Sequence, residues 1–251
     1  MTLPAGNATF RFHVGSATHP GLVRQENEDA LALHPGGAMW AVADGMGGHA
    51  NGRWAAMQVA AELAQTPLAG ILDADCDAVA DALADANAKI VAAAAASGKT
   101  IGATVVALRI AGNRFACLWA GDSRIYRLRN GALRQLTRDH SHVEQLVEAG
   151  IITAAEADSH PMANVITRAV GVAPDLALDV VEDEVATGDT FLLCSDGLNN
   201  CLSDAEIAAI LATHPPGEAC DVLIAATLKR GAPDNVTVIV VGCETAARPT
   251  A

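Results

Sequence analysis

Positive charge is scarce in this chain. Sixteen Lys and Arg stand against 29 Asp and Glu in 251 residues, a formal net charge of −13 at pH 7. A surface that neutralises nucleic-acid phosphates needs the opposite balance, so a nucleic-acid partner is excluded, and an anionic membrane surface with it. Such acidity suits simple solubility, and it equally suits a protein that gathers divalent cations. Aromatic residues are few as well, 3% of the chain, so a core must come from Ala, Val, Leu and Ile. The 51% hydrophobic content is enough for one large core or two modest ones. The six cysteines, Cys76, Cys117, Cys194, Cys201, Cys220 and Cys243, show no CxxC or other short metal spacing. Three of them lie in apolar runs, where a free thiol behaves as a small hydrophobe. The chain does not open on a basic stretch followed by an apolar one, and no run reaches the length of a transmembrane helix. The expected setting is a reducing cytoplasm.

What the chain does have is apolar runs that meet an aspartate. In Ala38-Met39-Trp40-Ala41-Val42-Ala43-Asp44-Gly45-Met46-Gly47-Gly48-His49 a short buried-strand pattern ends on a carboxylate and turns through glycines. A carboxylate at the mouth of a core strand is well held and still reaches solvent, which suits a metal ligand. The glycines allow backbone and ligand to approach closely.

Taken in order, residues 1–9 read as a loose lead-in. Phe10–Ala17 alternates, with Phe10, Phe12 and Val14 on one face of a half-buried strand. Ala30–Leu33 and Met39–Ala43 form a hairpin. From Ala50 to Gln65 the spacing of Trp54, Met57, Ala61 and Ala64 is helical, and Pro67 stops it. Asp73–Ser97 is a long Ala-rich helix with Val79, Leu83, Ala86 and Ile90 on one stripe. Its Asp73, Asp75 and Asp77 suit the positive end of a helix dipole rather than a metal. Ile101–Ile110 and Asn113–Ala120 form a second hairpin, and Ile125–Arg129 with Ala132–Leu136 a third around Asn130-Gly131. Strands joined this way predict largely antiparallel sheets. Residues 139–171 are polar with short helical pieces, including a capping box at Thr153–Glu156, and read as a flap; His140 and His142 there read as surface residues. Leu176–Val181, Thr190–Cys194 and Val236–Val241 are strands. A second capping box at Ser203–Glu206 opens a helix to about Thr213, and Glu218–Lys229 makes another. The chain frays from Glu244.

Four aspartates share one grammar. Asp44, Asp122 and Asp196 follow apolar strands and Asp234 precedes one, so antiparallel pairing can bring them to one edge. Each Asp-Gly or Asp-Asn alone is read more simply as a turn or an N-cap. All four together with Arg24 reverse that reading. Clustered carboxylates repel unless a cation neutralises them. Oxygen ligands without a His or Cys framework select Mg²⁺ or Mn²⁺ over Zn²⁺. Two such ions roughly 4 Å apart would clamp a phosphoryl group, and the fork of Arg24 would bind its oxygens.

Five motifs occur in order: Arg24-x-x-Asn27-Glu28-Asp29, Ala43-Asp44-Gly45-Met46-Gly47-Gly48-His49, Gly121-Asp122-Ser123-Arg124, Ser195-Asp196-Gly197-Leu198 and Asp234-Asn235-Val236-Thr237. Together they resemble the motifs of the bacterial 2C-type (PPM) Ser/Thr protein phosphatases, over about residues 10–242. The resemblance implies an α+β fold, two stacked antiparallel sheets flanked by helices (a four-layer αββα sandwich). It implies a single catalytic domain over 8–243, a flap at 141–171 bordering the cleft, and a disordered tail at 244–251. It also implies that Asp44 bridges two Mn²⁺ or Mg²⁺ ions, that the Gly45 carbonyl ligates one, and that Asp196 and Asp234 complete a shell. Glu28 or Asp29 would act through bound water, and Asp122 with Asp196 would hold a third, weaker ion. Arg24 would grip the phosphate while a bridging hydroxide attacks phosphorus in line, without a phospho-enzyme.

His49 has two readings, a proton donor to the leaving Ser or Thr oxygen or an exposed residue at a helix start. Ser123 and Ser195 lack the partners of a nucleophilic serine and read as hydrogen bonders to neighbouring ligands. Many bacterial members carry an acidic residue where this chain has His19, which bears on metal affinity and its pH dependence. The function implied is hydrolysis of phosphoserine and phosphothreonine in proteins, opposing a Ser/Thr kinase, by a monomer. A secretion or envelope pathway is the expected setting. A phospho-binding regulatory module and a hydrolase of small phosphate esters are the alternatives.

Overall fold

Strands whose two faces both meet protein need no alternation, and unbroken buried apolar runs at residues 39–43, 105–108, 115–120, 191–194 and 238–241 form for that reason. The computed structural model describes residues 10–35, 37–48, 50–157 and 160–246. The strands are β1 (Phe10–His19), β2 (Asp29–Leu33), β3 (Met39–Met46), β4 (Gly102–Ala103), β5 (Val105–Ala111), β6 (Arg114–Ala120), β7 (Arg124–Arg129), β8 (Ala132–Gln135), β9 (Asp179–Glu184), β10 (Thr190–Cys194) and β11 (Val236–Thr245). The helices are α1 (Ala50–Gln65), α2 (Leu72–Ser97), α3 (His142–Glu148), α4 (Ala154–Ala157), α5 (Asp196–Asn199), α6 (Asp204–Thr213) and α7 (Pro216–Lys229). One sheet runs β1-β11-β10-β7-β8 and the other β2-β3-β5-β6-β9, with β4 added beside β3. The ladders between these strands are antiparallel.

Three apolar layers make four layers of structure. Between the sheets lie Trp40, Val42, Val106, Leu108, Phe115, Phe191, Leu193, Ile239 and Val241. The opposite face of the second sheet, with Met39, Ala41, Val105 and Leu118, packs on α1 and α2 through Val59, Leu63, Val79, Leu83 and Ile90. The opposite face of the first sheet, with Leu192, Val236, Val238 and Val240, packs on α6 and α7 through Ile207, Leu211 and Leu223. This is the expected αββα sandwich. Among the described residues no helix is long and apolar enough to cross a membrane.

Local expectations hold where a turn or cap fixes them. Asn130 and Gly131 both have positive φ (51° and 79°), the backbone of a type I′ hairpin turn. Both capping boxes form, Ser203 with Glu206 and Thr153 with Glu156. The helix expected over Ala50–Gln65 forms with those bounds. Trp54 and Met57 are exposed, while Gly52, Ala55, Ala56, Val59 and Leu63 turn inward, because small residues let the helix press onto the sheet. The strand expected at Leu176–Val181 lies at Asp179–Glu184. Leu176 and Leu178 instead pack on the helical side of the sheet, and the edge strand is held by charge: Arg127 Nη1 to Asp183 at 2.9 Å, with Arg114 on Glu182. The last strand continues through Thr245, pairing Glu244 and Thr245 with Arg11 and Phe10. Residues 247–251, like 1–9, lie outside the described residues.

Asp75 lies in the first turn of α2, as expected, and is also fully buried. It accepts Arg109 Nε and Nη2 at 2.9 and 2.7 Å and the Ala69 N–H at 2.6 Å. Arg109 in turn donates to the Ala38 carbonyl at 3.0 Å, tying the β2–β3 turn to the start of α2. Removing one partner of a buried pair strands the other charge. Asp75→Ala is therefore expected to cost about 3–5 kcal/mol of unfolding free energy by denaturant titration. A loss below about 1 kcal/mol, the range of exposed pairs, would show that the bridge is not structural.

Candidate metal centre

The acidic site forms where strand ends of both sheets meet. Register pairs Asp29 of β2 with Asp44 of β3, and Gly45 with Ala103 of β4. Asp196 opens α5 directly after β10, and Asp234 lies just before β11. Asp122 sits in the turn between β6 and β7. Five carboxylates from five segments thus act on one another: Asp44 feels the charges of Asp29, Asp196, Asp122 and Asp234. Arg24 Nη2 bonds Asp234 Oδ2 at 2.7 Å and also feels Glu28 and Asp44. Glu28 lies beside the Gly45–Gly52 contact. The structure therefore brings together Arg24, Glu28, Asp29, Asp44, Gly45, Asp122, Asp196 and Asp234. His49 lies outside the described residues.

Polar residues with no acid of their own hold this cluster in place. Asn235, 5% exposed, donates to the carbonyls of Pro20 and Glu26 at 2.9 Å each and accepts the Glu28 N–H at 2.8 Å. That one amide binds the Arg24 loop to the start of β11. Gly197 and Gly45 are required for close approach. A Cβ at the first would meet the Asn235 carbonyl at 1.9 Å, and at the second the Gly52 carbonyl at 2.1 Å. Ser195 Oγ donates to Asp29 Oδ2 at 2.8 Å and accepts the Thr237 N–H at 3.0 Å. Thr104 Oγ1 accepts the Asp44 N–H at 3.2 Å and shares a 2.7 Å bond with Ser123 Oγ. Thr104 escaped the sequence reading, and Thr237 entered it only within its motif, although each is a hydroxyl interrupting an apolar run. Arg124 is committed to Asp139 through Nε and Nη2 (3.0, 3.1 and 2.7 Å), so it is not a free phosphate donor. His19 accepts the Gly21 N–H at 3.0 Å and so shapes the turn leading to Arg24. His140 is corrected from a surface residue to a buried one, 9% exposed, and burial lowers its pKa.

The electrostatics are those of acids short of counter-charge. Burial raises Asp29 to about 7, with Asp196 and Asp234 adding to it against the hydroxyls of Thr237 and Ser195. Burial, then Asp196, raises Asp122 to about 7. Burial, then Asp234, raises Asp196 to about 6. Asp44 is held well above the usual carboxylate range by burial and by its four acidic neighbours. Asp29 Oδ1 and Asp122 Oδ1 are buried with no hydrogen-bond partner. Among the described residues no three His, Cys, Asp or Glu side chains close into a ready-made ligand set, and mutual repulsion opposes such closure. An all-oxygen donor set with two orphaned buried oxygens nevertheless fits hard divalent cations. Asp29, Asp44, Asp122, Asp196, Asp234 and the Gly45 carbonyl are the groups that could hold them.

Comparison with known proteins agrees. Residues 19–222 match the family model described as protein phosphatase 2C. The serine/threonine protein phosphatase PstP of Mycobacterium tuberculosis is 40% identical over 226 residues, covering 88% of this chain; the chain spans 43% of that relative's length. The solved structure of PppA, described as a key regulatory component of T6SS in Pseudomonas aeruginosa, is 42% identical. It superposes with a TM-score of 0.86 over 92% of this chain and 97% of its own. The catalytic domain of PstP in complex with two manganese ions is 37% identical with a TM-score of 0.84, over 94% of this chain and 100% of its own.

The raised carboxylates carry a pH signature. Between about pH 4 and pH 7 the cation-free fold retains protons that the unfolded chain has released, so their contribution to stability falls as pH rises through that window. A bound divalent cation removes this loss. The increase in Tm produced by Mn²⁺ over EDTA is thus expected to be larger at pH 8 than at pH 5. An increase independent of pH would contradict the shared burial of these acids.

Proposed function

This chain belongs to the protein phosphatase 2C family of metal-dependent serine/threonine phosphatases, and on that premise we propose that it hydrolyses phosphoserine and phosphothreonine in proteins, opposing a Ser/Thr kinase. The observation that carries the reading is the convergence of five acidic side chains from both sheets, with Arg24 reaching Asp234 beside them. We assign residues 8–243 to one catalytic domain and 141–171 to a flap that borders the cleft. We further propose a monomer, active on phosphoproteins rather than on nucleic acid or membranes, in a cytoplasmic setting. The likeness to PppA supports a role in secretion or envelope regulation.

In this reading two Mn²⁺ or Mg²⁺ ions, when bound, lower the pKa of a water and neutralise the phosphoryl group it attacks. Asp44 and the Gly45 carbonyl, with Asp196 and Asp234, would hold them, and Asp122 with Asp196 would hold a third. Glu28 and Asp29 orient ordered water, Asp29 being fixed by the Ser195 hydroxyl. Arg24 binds two phosphate oxygens through its fork, exchanging its contact with Asp234 for substrate. Its place on a loop pinned by Asn235 and by the Leu22 N–H to Ala232 carbonyl bond (2.9 Å) limits the ordering needed on binding. His49 is the side chain assigned to protonate the leaving Ser or Thr oxygen.

Phosphate release from a phosphothreonine peptide tests the assignment. Activity should require Mn²⁺ or Mg²⁺, vanish in EDTA, and fall at least about 100-fold in Asp44→Asn, since even residues that only support metal ligands cost 10–100-fold. Metal-dependent release unchanged in Asp44→Asn would leave an enzyme with a different centre. Arg24→Ala should raise KM about 10- to 100-fold with a smaller change in kcat, the worth of hydrogen bonds to a charged group. Faster turnover of p-nitrophenyl phosphate than of phosphopeptides would favour a small-ester hydrolase.

A further inference from the structure

The residue that opens the flap has no part in the reading above. His140 lies flat on Trp119, with ring centroids 5.9 Å apart and planes 13° from parallel. Its Nδ1 accepts the Gly121 N–H at 3.1 Å, and its own N–H donates to the Gly121 carbonyl at 2.9 Å, so one residue holds Gly121 twice. Because Nδ1 accepts, the ring proton belongs on Nε2. That nitrogen lies 3.3 Å from an Asp179 oxygen, without hydrogen-bond alignment, and Arg168 grips the same carboxylate. The His140 carbonyl accepts the Thr167 N–H at 2.7 Å, from the returning arm of the flap.

Asp122 follows Gly121 directly and has little freedom. Gly121 has φ +120°, and a Cβ there would meet Thr104 Cβ at 2.5 Å, so the turn is wedged against β4–β5. On the other side Ser123 is tied to Thr104. Asp122 Oδ1, between these two fixed points, is buried and has no partner.

We propose that His140 is a positioning residue: by accepting the Gly121 N–H it holds the Asp122 carboxylate in place for a divalent cation, and through its carbonyl it joins that hold to the flap. This rests on the assignment of Asp122 to a weak cation site. Supporting groups of this kind fix the orientation of a ligand, and their loss lowers metal affinity.

Two substitutions separate the acceptor from the ring. His140→Phe keeps a ring on Trp119 without an acceptor, and His140→Asn keeps an acceptor without the ring. Mn²⁺ titration of the full chain by calorimetry and electron paramagnetic resonance, with thermal unfolding of each variant, is the measurement. His140→Phe should weaken the weakest Mn²⁺ site about 10-fold or more, the range for groups that orient ligands. The tighter sites should be unchanged, and His140→Asn should stay close to the parent. An unchanged weak site in His140→Phe, or equal weakening in both variants, overturns the proposal. Asp122→Asn separates the two layers. If it leaves all Mn²⁺ binding intact, the cation assignment falls and this proposal with it; if it removes the weak site while His140→Phe keeps it, only the role of His140 falls. Should His140→Phe not fold, His140→Leu, which matches His140→Asn in size but offers no acceptor, takes its place. A weaker site is then expected, and an unchanged one overturns the proposal.

Discussion

Carboxylates brought together away from water raise one another's energy, and the architecture around Asp44 is the response to that constraint. A single buried acid would be relieved by protonation or by one arginine. Five of them cannot all be relieved that way by Arg24 and by Arg124, which is itself paired with Asp139. The protein accepts this cost where both sheets present their strand ends, and relief comes from a divalent charge with oxygen ligands. The acidity of the whole chain reinforces the same preference for cations.

Holding such a cluster demands rigidity, and neutral groups supply it. Asn235, Ser195, Thr104 and Thr237 carry no charge to add to the crowding, yet each bonds the backbone or carboxylate of a neighbour in the site. Glycines at 45, 52 and 197 allow backbones to approach where any Cβ would collide. A centre built from five separate segments thus behaves as one body, as catalysis by positioning requires. Residues 141–171, the proposed flap, are fastened to the same body through His140 and Thr167 and through the Ala103–Val170 bridge. A change at Asp122 and a change in the flap therefore share a mechanical route.

Much of this was legible beforehand, for identifiable reasons. Hairpins announced by Asn130-Gly131 and Ala111-Gly112, helices opened by Ser203 and Thr153, and strands ending on aspartate depend on local chemistry that travels with the residues. The ordered motifs carried the family and the acidic residues, because their roles are bound to short segments. The bounds of α1 were legible, but its inner face, built on Gly52, Ala55, Ala56, Val59 and Leu63, was not. Packing against a close sheet favours the small residues. Strand β9 was misplaced because its edge position rewards charge pairing over hydrophobicity.

By itself, then, the amino-acid order determined most of the elements, their antiparallel joining and the set of candidate oxygen donors, since these rest on turns, caps and contiguous motifs. Tertiary structure alone decided which polar residues serve those donors. That Asp75 is an anchor for Arg109, that Arg124 belongs to Asp139, and that His140 is buried against Gly121 all follow from contacts between segments distant in the chain. A side chain's burial and partners depend on what the other sheet, helix or flap brings to it. No window of sequence contains that neighbour.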